Sequence, residues 1–173
     1  ERMDARLSYG GKLLSFPVGS SWAKASQDLI EREARVLSAY GDEPGMWKEA
    51  WTRYYRMIYR DSYRRLDSLA FVLGLEIERG REGAAGGNGR IQDRERVESA
   101  LAWVQGFKFT RNLTGSDLMN PIDCALKADG DCDARALLLA ILLHHWNIDA
   151  GMAVSHVYSH AVALVDLPGT KGF

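Results

Sequence analysis

Residues 130–143 read Gly-Asp-Cys-Asp-Ala-Arg-Ala-Leu-Leu-Leu-Ala-Ile-Leu-Leu and contain the longest apolar run of the chain. This stretch predicts a helix that begins near Cys132 and ends between His144 and Asn147. Because residues 137–143 are apolar on every side, we expect the helix to be central and covered all round. Cys132 then falls in the first turn, where unpaired backbone N–H groups and the helix dipole both stabilise a thiolate.

Cys132 is therefore a candidate nucleophile, since the thiolate is the form that attacks a carbonyl carbon. The neighbouring Asp131 and Asp133 oppose this by raising the pKa of the thiol, so a histidine partner is needed. His160 opens a strand-like run, His160–Val165, and a histidine placed in this way can meet a helix-terminal cysteine in space. An ordinary buried thiol is the alternative for Cys132.

The chain before this stretch is helical in pattern. Apolar residues recur at helical spacing over 20–79, with the first helix expected to end at Gly41 and a second to begin around Pro44 and to break near 61–62. The glycine-rich segment 80–89 predicts a linker. We therefore divide the chain into a helical extension, 1–90, and a second unit, 91–173.

The second unit alternates helix and strand. Asp93–Gln105 predicts a helix, and residues 107–109 predict a short extended piece followed by a polar loop. Two further strands are expected at 150–154 and His160–Val165. The buried face of the first of these helices is predicted to carry Val97, Ala100, Leu101 and Val104.

Composition excludes several classes of protein. With 46% hydrophobic and 26% charged residues, the chain has a globular composition rather than a disordered one. Its 22 Lys+Arg against 23 Asp+Glu make nucleic acid and anionic membranes poor partners. Two cysteines cannot alone supply the four ligands of a structural zinc site, and the longest apolar run, 136–143, is too short to span a bilayer.

Several motifs follow one another in a recognisable order over residues 96–169. They are Ala102-Trp103-Val104 at a helix end, Asn120-Pro121 in a loop, Gly130-Asp131-Cys132-Asp133 before the leucine-rich helix, the strand 148–154, and His160-Ala161 entering the next strand. In this order and spacing the chain resembles the transglutaminase-like cysteine peptidase superfamily of bacterial type.

The resemblance implies an α+β fold, with a papain/transglutaminase-like core in which the nucleophile helix packs on an antiparallel sheet. It implies that Cys132 forms a thioester with a peptide or protein amide while His160 acts as general base, and it implies no cofactor. Hydrolysis and transamidation both stay open. The alternatives are an inactive binding or scaffold domain of the same fold, and a zinc-dependent hydrolase using Cys132, His156 and His160.

In the family, an Asp or Asn on the strand after the histidine strand orients the catalytic histidine, and this sequence departs from that pattern. Asp166 lies on the same run as His160, and six strand residues separate the two by roughly 20 Å. The strand that carries the acid in the family is expected to begin near Phe173, so we expect a core truncated at this end or an acid from elsewhere. The compartment stays open, with an exported or periplasmic bacterial location favoured, and the oligomeric state is unknown.

Other features of the sequence have simpler interpretations. Cys124 is expected to be a buried free thiol. The arginine stripe of the second helix, which includes Arg53, is expected to pair with acidic residues of the first helix such as Glu33. Trp47 and Trp51 are expected to cover the contact between the two halves.

Overall fold

The chain is seen in a computed structural model that describes residues 1–85, 92–111, 115–155 and 157–168. A β-hairpin comes first: β1 (Arg2–Tyr9) and β2 (Lys12–Gly19) pair antiparallel. Gly10 and Gly11, with φ of +57° and +78°, form its two-residue turn. One face is buried, through Ala5, Leu7, Leu14, Phe16 and Val18. The expectation of a helical extension over 1–90 did not include this hairpin.

Three helices follow. They are α1 (Trp22–Tyr40), α2 (Trp47–Arg65) and α3 (Asp67–Ala85). The end of α1 at Gly41 is confirmed, whereas Pro44 lies in the turn before α2 and not inside the helix. The break falls at Leu66, later than predicted. The prediction of a linker is wrong for residues 80–85, which continue α3, and the remainder of the predicted linker, 86–89, lies outside the described residues.

The next elements bring the chain towards the central helix. The helix α4 (Asp93–Gln105) has the predicted bounds, but Leu101 is 37% exposed instead of buried. The strands β3 (Lys108–Phe109) and β4 (Asp129–Gly130) pair in parallel. Between them lies a helix that was not predicted, α5 (Pro121–Lys127). The Asn120 side chain caps α5 by accepting a hydrogen bond from the Asp123 N–H at 2.9 Å.

The central helix and the last sheet agree with the sequence-based expectation. α6 (Cys132–His145) is buried along 136–143, and it packs on β5 (Ala150–Ser155) and β6 (His160–Val165). These two strands pair antiparallel, with Ser155 opposite His160. The protein is thus α+β, with α6 as the element that most others cover.

One hydrophobic core joins both halves of the chain. Its members come from the hairpin and from helices on both sides of the predicted linker, and they include Leu7, Phe16, Ile30, Ile58, Leu73, Val104, Leu138 and Leu142. The predicted pairing of Arg53 with Glu33 is confirmed at 2.8 Å. Trp51 is half-buried as expected, but Trp47 is exposed. No helix in the described ranges is long and apolar enough to cross a membrane.

The hairpin is expected to contribute to global stability because its inner face belongs to the core. Replacing the buried Phe16 by Ala should lower the free energy of unfolding by about 3 to 5 kcal/mol, measured by urea denaturation. Leu13→Ala on the same strand is the matched control, since Leu13 is 64% exposed, and it should change little. Equal, small effects of the two variants would show that the hairpin does not dock.

Candidate active site

The N-terminus of α6 is built so that Cys132 is its first residue. The Asp131 side chain caps the helix by accepting a hydrogen bond from the Ala134 N–H at 2.8 Å. Gly130 precedes it with a φ of +150°, and a Cβ at this position would lie 3.0 Å from the Cys124 sulfur. The Gly-x-Cys motif therefore has a structural reason, because only glycine combines this backbone conformation with such close packing.

Arg135 holds this turn in place. Its guanidinium donates to the Gly130 carbonyl at 3.0 Å and to the Phe107 carbonyl at 2.8 Å. The Thr110 N–H also donates to the Gly130 carbonyl, at 3.3 Å. The start of α6 is thereby tied to the strand pair β3–β4, which fixes the position of Cys132.

The structure brings Cys132 and His160 to the same cavity, of about 200 Å³. His160 is the first residue of β6, and the backbone N–H of the next residue, Ala161, lies close enough to the Cys132 sulfur to lower the pKa of the thiol. Cys132 is half-buried while His160 is exposed at the rim. The two residues singled out from the sequence therefore share one site, and their catalytic roles stay a prediction.

Further residues of the cavity were not predicted to belong to a site. Trp51 and Tyr55 reach it from α2, and their rings stack with centroids 6.0 Å apart. Trp51 was expected only to cover the contact between the two halves, and no functional role was predicted for Tyr55. Their i, i+4 spacing places them on one face of α2, but only the docking of α2 on α6 shows which face meets the cysteine.

Asp133 links the thiol to this aromatic wall. The Tyr55 hydroxyl donates to one carboxylate oxygen of Asp133 at 2.6 Å, and the Cys132 thiol donates to the other at 3.4 Å. An ionised carboxylate only accepts hydrogen bonds, so this arrangement stabilises the protonated thiol rather than the thiolate.

The electrostatics of the site follow from burial and from these carboxylates. Burial raises the pKa of the Cys132 thiol, and the charge and hydrogen bond of Asp133 raise it further, against the lowering effect of the Ala161 N–H. The expectation of a net lowering of this pKa is therefore wrong, because burial and Asp133 outweigh the effect of the helix terminus. Burial also raises the pKa of Asp131, from 3.8 to about 6, although the Ala134 N–H favours the ionised form.

The second cysteine is placed very differently. Cys124 is fully buried in α5, and burial raises the pKa of its thiol to about 12. Both cysteines are free thiols, as expected for Cys124. Because the thiolate is the reactive form, Cys124 is chemically inert and serves as an internal reference for Cys132.

The acid that would orient His160 is not supplied by Asp166. Asp166 is exposed just past the far end of β6, where its N–H donates to the Asp149 carbonyl at 2.9 Å. Within the described ranges, no side chain hydrogen-bonds the His160 imidazole. The same ranges contain no group of three His, Cys, Asp or Glu side chains that could hold a metal, and His156 of the zinc alternative lies outside them.

Comparisons with protein-family models, curated proteins and solved structures found no match to this chain. The functional assignment therefore rests on the residues and geometry of the site.

The contact between Asp133 and the thiol predicts how the reactivity of Cys132 responds to substitution. Asp133→Asn should lower the pKa of this thiol and raise its rate of alkylation by iodoacetamide at pH 7 by roughly tenfold. The rate is measured by mass spectrometry of the Cys132 peptide, with Cys124 as reference. Asp149→Asn, an exposed aspartate before β5, should leave the rate unchanged. An unchanged or slower rate in Asp133→Asn would contradict this account.

The raised pKa of Asp131 predicts a pH-dependent stability. Between pH 3.8 and about 6 the folded protein holds a proton on Asp131 that the unfolded chain releases, so its contribution to the free energy of unfolding falls as pH rises. Asp131→Asn keeps a capping oxygen without the charge. The free energy of unfolding of this variant, minus that of wild type, should rise by on the order of 2 kcal/mol from about pH 4 to pH 7, as measured by urea denaturation.

The exposed Asp42, in the turn before α2, provides the control for this pH dependence. Asp42→Asn should differ from wild type by the same amount at both pH values. A constant difference for Asp131→Asn as well would show that Asp131 titrates at its ordinary pKa in the folded protein.

Proposed function

We propose that this chain is a transglutaminase-like cysteine hydrolase with a papain/transglutaminase-like core, in which Cys132 forms a thioester with a peptide or protein amide. The proposal rests on one observation: the N-terminus of the buried helix α6 lies next to the start of β6. These two elements place Cys132 and His160 in one cavity, with the Ala161 N–H close to the sulfur.

His160 is the general base in this proposal. It takes the thiol proton as the sulfur attacks the carbonyl carbon, and then gives that proton to the nitrogen of the leaving amine as the C–N bond breaks. Water then adds to the thioester carbonyl, and the C–S bond breaks to release a carboxylic acid and the free thiol. An amine in place of water would give transamidation by the same route.

The negative charge that develops on the carbonyl oxygen needs hydrogen-bond donors. Cys132 is the first residue of α6, so its own N–H has no partner within the helix. This N–H and the positive end of the helix dipole are suited to stabilise an oxyanion next to the sulfur. The cysteine therefore supplies both the nucleophile and a donor from one position.

The raised pKa of the thiol determines when the proton moves. Burial and Asp133 keep Cys132 protonated at neutral pH, so proton transfer to His160 accompanies the attack rather than preceding it. A preformed thiolate–imidazolium pair is not required in this mechanism.

The second candidate function is a binding or scaffold domain that keeps this fold without catalysis. Two observations favour it. The thiol has a raised pKa and is therefore a poor nucleophile at rest, and no described carboxylate orients His160. The two candidates differ in whether wild-type protein shows Cys132-dependent turnover.

Hydrolysis of p-nitrophenyl acetate, followed by release of p-nitrophenol, separates them. We expect Cys132→Ala to abolish turnover above background, and His160→Gln to lower it about a hundredfold or more. Cys124→Ala is the matched control and should retain the wild-type rate. Circular dichroism verifies that each variant is folded. Equal rates in wild type and Cys132→Ala would contradict the hydrolase proposal and favour the scaffold.

A further inference from the structure

A second cavity, of about 400 Å³, also opens at the candidate nucleophile and base. Cys132 and His160 are the residues that it shares with the first cavity, and its other lining residues are different. It lies between α4 and β6, with α6 contributing Leu139. We call this second cavity the apolar cleft.

The walls of the apolar cleft are almost entirely hydrocarbon. α4 contributes Val97, Leu101 and Val104, and β6 contributes Val162 and Val165. Besides Cys132 and His160, the polar side chains among its described lining residues are Gln105 and Arg135. The Arg135 guanidinium is already held by two backbone carbonyls and lies 5.7 Å from the Phe109 ring. The apolar cleft thus offers contact area but few polar partners.

Bulky apolar side chains are left open to solvent along the same cleft. Leu101 is 37% exposed, Val162 44% and Phe109 57%. The sequence placed Leu101 on the buried face of α4, and in the structure this face continues beyond the core into the apolar cleft. Apolar surface gathered in a concave site next to reactive groups is typical of a ligand pocket, and the volume lies within the usual range.

The first cavity is more polar. Three carboxylates, from Asp117, Asp131 and Asp133, line it together with one guanidinium, that of Arg111, so the acidic groups are in excess. Such groups suit an amine, which gains a proton as it leaves or arrives as an ammonium ion. The two cavities therefore flank the candidate reacting atoms with complementary chemistry, one apolar and one acidic.

We infer that the apolar cleft binds the acyl side of the substrate, and that the preferred substrate is an amide or ester whose acyl group carries an aliphatic or aromatic chain. This inference rests on the proposed function of Cys132 and His160. The acyl carbon is bonded to the sulfur in the thioester, so its substituent must occupy one of the two cavities. The apolar cleft gains free energy from an apolar substituent, whereas the acidic cavity would lose polar solvation on receiving one.

The test varies the acyl group and holds the leaving group constant. p-Nitrophenyl acetate and p-nitrophenyl hexanoate release the same product, and the hexanoate adds methylene groups that the cleft can bury. We expect kcat/KM for the hexanoate to exceed that for the acetate by about tenfold or more in the wild type. Cys132→Ala supplies the background rate for each ester.

Variants locate the preference in the cleft. Leu101→Asn makes the wall polar at a position that is already partly exposed, and it should reduce the hexanoate-to-acetate ratio to about threefold or less. Leu13→Asn, an exposed leucine on the hairpin, is the matched control and should leave both rates and their ratio at the wild-type values. A retained ratio in Leu101→Asn would overturn the assignment of the cleft.

Failure of this inference is distinguishable from failure of the proposed function. Cys132-dependent turnover with equal kcat/KM for the two esters would overturn the inference and leave the hydrolase standing. If neither ester is turned over, we compare the rates at which iodoacetamide and N-hexyl iodoacetamide alkylate Cys132. The comparison tests whether the apolar cleft binds an apolar chain. A faster reaction of the hexyl reagent that Leu101→Asn abolishes supports an apolar ligand site, and equal rates overturn it.

Discussion

α6 must be covered on every side, and the packing of most other elements follows from this requirement. Its residues 136–143 are all buried, so no face of the helix meets solvent along this length. Helices α2, α3, α4 and α5 and the strands β5 and β6 all pack on it. Because the helix cannot shift without exposing leucines on some side, its first residue, Cys132, is held at a defined depth beside β6.

Local pattern predicted the elements whose signals are strong. The bounds of α4 follow from apolar periodicity, and the start of α6 follows from the turn before its continuous apolar run. β5 and β6 follow from two short strand-like runs after the end of α6. The hairpin was missed although alternating apolar residues, such as Leu14, Phe16 and Val18, and the pair Gly10-Gly11 mark it, since the whole of 1–90 was interpreted as a helical extension. The cap of α5 was likewise visible as Asn120-Pro121, an N-cap residue followed by proline at N1, but it was interpreted as a loop.

The site shows the same division between local and long-range information. Cys132 and His160 stand out in the sequence because each sits at the start of an element. Trp51 and Tyr55 could not be assigned, since their place depends on how α2 docks across α6. The direction in which the pKa of the Cys132 thiol shifts was also predicted wrongly. The helix terminus favours the thiolate, but burial and the carboxylate of Asp133 outweigh this effect. The result depends on how deeply the thiol is buried and on its hydrogen bond to Asp133, and the local sequence determines neither.

The central claim is that the sulfur of Cys132 becomes acylated during turnover. Mixing the protein with p-nitrophenyl acetate, quenching in acid and mapping the peptides by mass spectrometry tests it directly. A Cys132 nucleophile predicts an acetyl group on Cys132 and none on Cys124. The adduct should accumulate when the leaving group departs faster than water hydrolyses the thioester. p-Nitrophenol released without any acetyl on Cys132, or acetylation confined to surface lysines, would contradict the claim.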